Sequence, residues 1–374
     1  MNKLNLEILV ALRNLLQERG RLVISTIGVA FAVALILLMQ GIYVGVIDQF
    51  TRVVSRNPTD VFVAARGIQD FFHGVSVYPR SLSDQLRAEP EVGDAIPMLS
   101  RRAMVSSGDS HLDLVIFSYF PDKAQGRPWA VEQGTLDIGP GETLVSKALA
   151  KKLNKKVGDT VTIDTTPLKI TGLVPDASAL GAHYICVRME TAKQLVTVRD
   201  VVSFTYLTLR NPAQAKIVTA QLQEKFPQLA LIDKEEFLQN NQETIDQSFL
   251  PIIQAILIIA VLIGIAVIGL TIYTATIDKA REYGVLKAIG VTNLQLYRTV
   301  AAQAILVTVL GTAVGIGLSA LLALLISDLA TVTPKIGLSS VLWVWLIALG
   351  MGLIASLVPT RRLGRIDPAE VFKS

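Results

Sequence analysis

One cysteine, three histidines and not a single Gly-Lys pair occur in the 374 residues of this chain. The lone thiol, Cys186, excludes an internal disulfide. His73, His111 and His183 stand singly, without the spacing of a zinc site, and each reads first as an ordinary surface or pocket histidine. Without Gly-Lys there is no G-x-x-x-x-G-K-[ST] loop to cradle the phosphates of ATP. The nucleophile elbow G-x-S-x-G is missing too, and with it the simplest sign of a hydrolase. Charge is scarce: Asp, Glu, Lys and Arg make up 18% of the chain, against roughly 25% in soluble domains. The net charge is only +4, and the basic residues sit beside apolar runs instead of forming a stripe. Nucleic acid is therefore not an expected partner.

In place of charge the chain has apolar residues, 51% of the total. They concentrate in four runs, 22–47, 250–277, 299–326 and 341–360. Roughly 20 apolar residues at about 1.5 Å rise cover the hydrocarbon of a bilayer, so each run is long enough to span one. None contains Asp, Glu, Lys or Arg, the groups that a proton- or ion-coupled carrier needs inside the membrane. Ahead of them, residues 1–21 place Leu4, Ile8, Leu12, Leu15 and Leu16 at helical spacing, with Lys3, Arg13, Arg19 and Arg21 off that stripe. An amphipathic helix on the inner leaflet is expected there, not a cleaved signal peptide. The basic residues flanking the first run place the N-terminus inside. The expected fold class is thus an α-helical integral membrane protein with four transmembrane helices, N-in/C-in. A large α+β extracytoplasmic domain, 48–249, lies between the first and second. A polar segment, 278–298, returns inside, 327–340 forms a short outer loop, and 361–374 is a cytoplasmic tail.

Several local features carry expectations of their own. Ser81 and Ser146 read as N-caps of short helices over 81–88 and 147–153. Residues 233–249 read as a polar helix with Phe237, Asn241, Ile245 and Phe249 on one stripe. As a stalk it would pair with 48–56, with Pro251 kinking it where it meets the membrane; an ordinary domain helix is the alternative. Gln40 is expected to hydrogen-bond a neighbouring helix, with contact to a substrate as the other reading. Gly311-x-x-x-Gly315 permits close helix approach, either within the chain or across a dimer seam. Trp343 and Trp345 suit the outer interface. Phe71, Phe72, Tyr78 and Trp129 serve either core packing or an apolar ligand. Labelling of Cys186 from outside the cell is expected if that residue is not buried.

The polar segment 278–298 is the most distinctive stretch. Gly290 suits a helix stop and Thr292 a restart. Gly284 inside the helix costs about 1 kcal/mol against alanine. It is either a tolerated glycine in a surface loop or, with Ala288 four residues on, a smooth strip for another protein. Residues 282–290, Glu-Tyr-Gly-Val-Leu-Lys-Ala-Ile-Gly, resemble the E-x-G-x-L-K-A-x-G signature of FtsX-like (MacB-type) ABC transporter permeases. The run from Gly141 to Val174 resembles the corresponding run in the periplasmic domain of MacB-like permeases. The tail resembles the family's P-x-x-x-A-x-x-x-D-P-x-E-x-L ending at Pro359, Asp367, Pro368 and Glu370. It departs from that pattern at Leu363 or Gly364, where alanine is usual, and at Phe372.

The resemblance implies a transport subunit that is not itself an enzyme and binds no cofactor, with ATP and Mg²⁺ on a separate ATPase. It implies that Lys279, Arg281, Glu282, Tyr283, Gly284, Val285, Leu286, Lys287, Ala288 and Gly290 form the helix that couples to that ATPase. It further implies a homodimer in the bacterial inner membrane, in contact with membrane lipid and in some members with a periplasmic adaptor. By mechanotransmission such a permease moves a hydrophobic or amphipathic substrate: lipid, glycolipid, haem or a drug-like molecule. Ile272-Tyr273-Thr274 and the ending Asp-Pro-Ala-Glu-Val-Phe resemble the DevC-type subgroup. The competing reading is a signalling protein like FtsX itself, which controls a cell-wall hydrolase. An outer domain of about 200 residues favours transport.

Overall fold

The computed structural model describes residues 17–71, 74–107, 110–176, 183–196, 199–329 and 333–364. Five helices, labelled here α1 (Arg19–Ser55), α2 (Lys234–Asp278), α3 (Ala280–Ala288), α4 (Asn293–Leu329) and α5 (Leu338–Gly364), organise it. All but α3 contain an 18-residue window of mean hydropathy between 2.4 and 3.1, apolar enough to cross a membrane. Three of them run well past their apolar stretches, for local reasons. In α1 the helix continues beyond Asp48, where Asp48 pairs with Arg52 at 2.6 Å, and it stops just before Asn57-Pro58. At the start of α2, Oδ1 of Asp233 accepts from the backbone N–H of Glu235 and Glu236, both at 3.0 Å. That helix runs through Pro251 without ending.

α4 begins at Asn293, six residues ahead of its apolar run and directly after Thr292, where the sequence suggested a restart. The cause is a capping box. Thr292 Oγ1 accepts from the N–H of Gln295, while Gln295 Oε1 accepts from the N–H of Thr292 at 3.0 Å. The expected helix over the first residues lies outside the described residues up to 16.

The chain divides into two compact units. One comprises α1 up to Val44 with residues 250–328 and 333–364. Its core draws Val33 and Leu37 from α1, Ile268 and Ile272 from α2, Val300 and Ala304 from α4, and Val344 and Met351 from α5. The small-residue motif of α4 sits inside this unit. A Cβ on Gly311 would lie 2.5 Å from Val29 Cβ, and one on Gly315 would lie 2.8 Å from the carbonyl oxygen of Ala30. Both glycines therefore serve packing within the chain, against α1. Gln40 makes no hydrogen bond to a neighbouring helix among the described residues; it lines a recess of about 400 Å³ with Tyr43, Gln254 and Trp343.

The other unit, residues 45–249 with 329–332, holds two larger sheets and a two-stranded ribbon. The four-stranded antiparallel sheet runs Leu229–Asp233, Val61–Ala65, Phe204–Leu209, Val92–Met98. The seven-stranded sheet is mixed: His183–Arg188 lies parallel to Ser110–Tyr119, and Glu142–Ser146 parallel to Thr166–Val174. An aromatic core joins the first sheet to the helices around it. Phe62 stacks on Phe237 with centroids 4.2 Å apart, and Phe71 meets Phe204 and Phe237 edge-on, both at 4.9 Å. Val54 packs into the same cluster, so 48–56 and the start of α2 do share a core. Phe237, Asn241 and Ile245 are buried, as one stripe.

Three local expectations need correction. Pro79, not a serine, precedes the helix Arg80–Arg87, and Ser81 lies within it. Ser146 stands at the N-cap position of Lys147–Lys152 yet makes no capping bond. Cys186 is 3% exposed, and burial pushes its thiol up to about 12, so labelling it does not report on topology.

Candidate functional site: the segment between two spans

α3 is nine residues, AREYGVLKA, mostly good helix formers with Gly284 among them, and a glycine stands two residues past its end. Gly290 has φ +97°, a left-handed conformation that costs glycine nothing and stops the helix. The N–H groups of Gly290 and Val291 then bond back to the carbonyls of Lys287 and Leu286, both at 3.0 Å. At the other end Lys279 leaves helical geometry (φ −96°, ψ 13°) and separates α3 from α2. The segment is thus a short rigid rod with a joint at each end.

One side of the rod is fastened to the bundle. Tyr283 is 4% exposed and its hydroxyl is hydrogen-bonded to Gln303 of α4. Gly284 is buried beside it. Leu286 packs against the bundle core. Lys287 Nζ donates to the carbonyl oxygens of Leu363, at 2.7 Å, and Gly364, at 3.4 Å. Those carbonyls end α5, where the helix dipole is negative and a cation is favoured. Near the joint, Arg21 of α1 is bonded to both Asp278 and Glu18, and Lys279 lies 3.9 Å from Glu18. All five helices therefore meet at this end through a small set of charged and aromatic groups.

The other side faces out. Arg281, Glu282, Val285, Ala288 and Ile289 are exposed, Ile289 to 74%. Their spacing of one, four, seven and eight residues is that of one helical face. The ten residues singled out in the sequence therefore separate into two sets. Lys279, Tyr283, Gly284, Leu286 and Lys287 hold the rod in place, while Arg281, Glu282, Val285, Ala288 and Gly290 are presented. The smooth strip expected from Gly284 and Ala288 does not exist as such, because Gly284 is covered by the chain itself. Ile289 and, at the start of α4, Leu294 (58% exposed) belong to the outward surface and carried no motif signal. Two apolar side chains exposed on a polar segment would have been the clue. Pro359 is buried within α5; Asp367, Pro368 and Glu370 lie outside the described residues.

A model described as a MacB-like periplasmic core domain matches residues 22–225, and one described as an FtsX-like permease C-terminal matches residues 254–368. This chain belongs to the MacB/FtsX-type ABC transporter permeases. Among relatives, an ABC transporter permease of Mycobacterium bovis is 26% identical over 97% of this chain and 98% of its own length. The lipoprotein-releasing system transmembrane protein LolE of Haemophilus influenzae is 22% identical over 94% of this chain and 93% of its own. A macrolide export ATP-binding/permease protein, MacB 2 of Aeromonas hydrophila, is 22% identical over 97% of this chain but only 60% of its own. The chain aligns with nearly the whole length of the mycobacterial permease and of LolE, and its sequence holds no G-x-x-x-x-G-K-[ST] loop.

Proposed function

We propose that this permease is driven by a separate ABC ATPase that docks on the outward face of α3, and that it works as a homodimer in the bacterial inner membrane. The observation that carries the proposal is the division of α3 into a fastened side and a presented side. A docking helix has to be both: a partner pushes on Val285 and Ile289, while Tyr283, Lys287 and the Arg21–Asp278 contact pass the push to α4, α5 and α1. Apolar side chains ringed by Arg281 and Glu282 have the make-up of a small interface core with a polar rim.

Orientation follows from charge. Arg19, Arg21, Lys279, Arg281, Lys287, Arg298, Arg361 and Arg362 gather at the α3 end, whereas within ten residues of the spans at the opposite end the described residues have only Arg52, Arg56 and Lys335. That bias supports N-in/C-in, with α3 in the cytoplasm where ATP is and the large domain outside. The apolar spans, free of Asp, Glu, Lys and Arg, support mechanotransmission to the outer domain over a charged path through the bilayer. The relatives' printed names, macrolide export and lipoprotein release, favour extrusion of a hydrophobic or amphipathic substrate, with lipid, glycolipid and haem in the same class. A periplasmic adaptor fits that reading.

The test is ATPase stimulation in the reconstituted complex. Val285→Glu and Ile289→Glu put a buried charge into the docking face and should lower stimulation at least about tenfold, with membrane insertion and melting temperature unchanged. Full stimulation by both variants would overturn the docking role. Cysteines placed at Ile289 and Val75 read the orientation, since both side chains are well exposed (74% and 81%). Labelling of Ile289→Cys from outside intact cells would overturn it.

A further inference from the structure

The domain of 45–249 ends its larger sheet in a strand with an open side. That strand, Ser100–Ser107, is the last in the sheet and pairs only with Ser110–Tyr119, antiparallel and without a bulge. In such a pair alternate residues turn their N–H and C=O away from the partner strand. Two sets of bonds fix which residues do so. The carbonyl of Leu99 accepts from the N–H of Ser118 at 2.9 Å, so the odd-numbered positions bond into the sheet. Ser100 does the opposite: its N–H donates to Ser203 Oγ at 2.9 Å, and that hydroxyl donates to the carbonyl of Ser100 at 3.1 Å. By the same alternation Arg102 and Met104 turn both backbone groups to the open edge, and neither finds a partner there among the described residues.

Beside the edge lies a groove of about 330 Å³, lined by Ser100 and Arg102 and by the segment from Gly74 to Val77. Ser203 ties these two stretches together at one end, since its carbonyl accepts from the Ser76 hydroxyl while its own hydroxyl holds Ser100. An open edge is often merely guarded by a charge, and Arg102 alone would read that way. The apolar side chains speak against a guard. Five large apolar residues are exposed on this domain among the described residues; three of them, Val75, Val77 and Met104, belong to the groove or the edge, and the others are Val157 and Ile217. Met104 stands two positions from Arg102 on the same face of the strand. Arg102 is exposed and makes no ion pair among the described residues, whereas Arg101, on the other face, is paired with Asp164 at 2.6 Å.

We propose that this edge takes up an extended segment of another polypeptide as an added strand. The chemistry of that segment follows from the edge. Its backbone pairs with the free groups of Arg102 and Met104, its alternate apolar side chains cover Met104, Val75 and Val77, and a carboxylate on it meets Arg102. A helix cannot fill this role, because its N–H and C=O groups are already bonded within it. The groove lies wholly in the one unit, so the site stands or falls without α3 and the ATPase. The full chain in lipid nanodiscs is panned with a random peptide library displayed on phage, and Met104→Pro serves as the counter-target. Proline at 104 removes an N–H that faces the open edge and leaves the bonds to Ser110–Tyr119 in place, so the melting temperature should hold while strand addition is lost.

Enriched peptides should alternate apolar with polar residues, carry Asp or Glu, and bind the native chain at least about tenfold more tightly than Met104→Pro. Synthetic copies of them, N-methylated on alternate residues, read the register: methylation of the set facing the edge should abolish binding, and methylation of the other set should leave it. Arg102→Glu touches no backbone group and carries the test independently of the proline; panning on it should return Lys and Arg where Asp and Glu stood. No enrichment over Met104→Pro, equal tolerance of both methylation patterns, or acidic peptides still selected by Arg102→Glu would overturn the proposal. So would spontaneous disulfide-linked dimers of Met104→Cys in the peptide-free chain, which would assign the edge to a second copy.

Discussion

The two units of this permease differ in what they leave exposed. In the domain of 45–249, large apolar side chains point inward, and Phe62 and Phe237 are wholly enclosed. In the helical unit many point outward: Ile252, Ile259, Leu262 and Leu270 of α2 are each more than half exposed. Its interior mixes apolar side chains such as Leu37 and Ile268 with small residues and hydroxyls, such as Gly311, Gly315, Thr308 and Ser319. Those hydroxyls bond to their own helix, Thr308 to the carbonyl of Ala304 at 2.8 Å and Ser319 to that of Ile316 at 2.8 Å. The difference is a difference of solvent. Water drives apolar surface together in the domain, whereas lipid gives no such drive, and close backbone approach has to hold the helices. The same exposed isoleucine is thus a defect in one unit and ordinary in the other.

That contrast breaks most readily at an aromatic. Phe237→Ala leaves a large void beside Phe62 and Phe71 and should destabilise the domain by about 3–5 kcal/mol. Ile259→Ala, 54% exposed on α2, should barely move the stability of the helical unit in nanodiscs. Urea unfolding followed by domain proteolysis and by span accessibility reads both. A comparable loss from the two substitutions would mean that the outward face of α2 is covered by protein, as a dimer seam on that helix would do.

A smaller effect should come from the small residues. Gly315→Leu forces atoms into the carbonyl of Ala30 and the side chain of Val33, both within 3 Å of the position a Cβ would take. Overpacking of this kind costs about 1–3 kcal/mol. Loss of intramolecular crosslinking between cysteines placed on α1 and α4 would measure it. Gly317→Leu, with nothing within 4 Å, serves as the control and should leave that crosslinking intact.

The domain should respond to pH where the helical unit does not. The folded His183 titrates near 4, chiefly through burial and secondarily through Lys152, while the unfolded chain has the ordinary value of 6.5. Between those values the unfolded state binds the proton and the folded state does not. Stability therefore falls as pH drops below 6.5, by up to about 1.4 kcal/mol per pH unit, and levels near pH 4. His183→Phe should flatten this slope in chemical denaturation of the full chain, and an unchanged slope would assign it to the carboxylates.

Much of the architecture was legible because it rests on long patterns. Four apolar runs and one polar stretch of domain size are averages over many residues, and the nine residues around Gly284 form a motif. What the sequence hid was pairwise. That Gly284 faces inward depends on Tyr283 finding Gln303, twenty positions on. That Gly311 and Gly315 pack on α1 depends on Val29 and Ala30, almost three hundred positions back. The recess of the outer domain lined by Phe50, Phe117, Trp129 and Tyr206 joins the end of α1, a loop and strands of both sheets, and no local spacing announces it. Only Trp129 and Phe71, noted as aromatics with a choice of roles, pointed there; Phe72 lies outside the described residues, and Tyr78 is core, bonded to Thr205 at 2.6 Å.

The smallest predicted effect is where sequence reasoning was most specific and went astray. Serine immediately before a helical run is a good N-cap, so Ser146→Ala ought to cost about 1 kcal/mol. In the structure the helix Lys147–Lys152 is capped from a distance: Asp176 Oδ1 accepts from the N–H of Ala148 at 2.8 Å. The Ser146 hydroxyl is buried and has no partner. A carboxylate at the positive end of a helix outcompetes a hydroxyl, and once the N–H is taken the serine has nothing left to cap. The expected pair of results is therefore asymmetric. Asp176→Ala should cost about 1 kcal/mol or somewhat more, because it strands the backbone donor. Ser146→Ala should be neutral or slightly stabilising, since it removes a polar atom that no group satisfies. Thermal melts of the two variants in parallel decide it, and a larger loss from Ser146→Ala would restore the local cap and strike out the remote one.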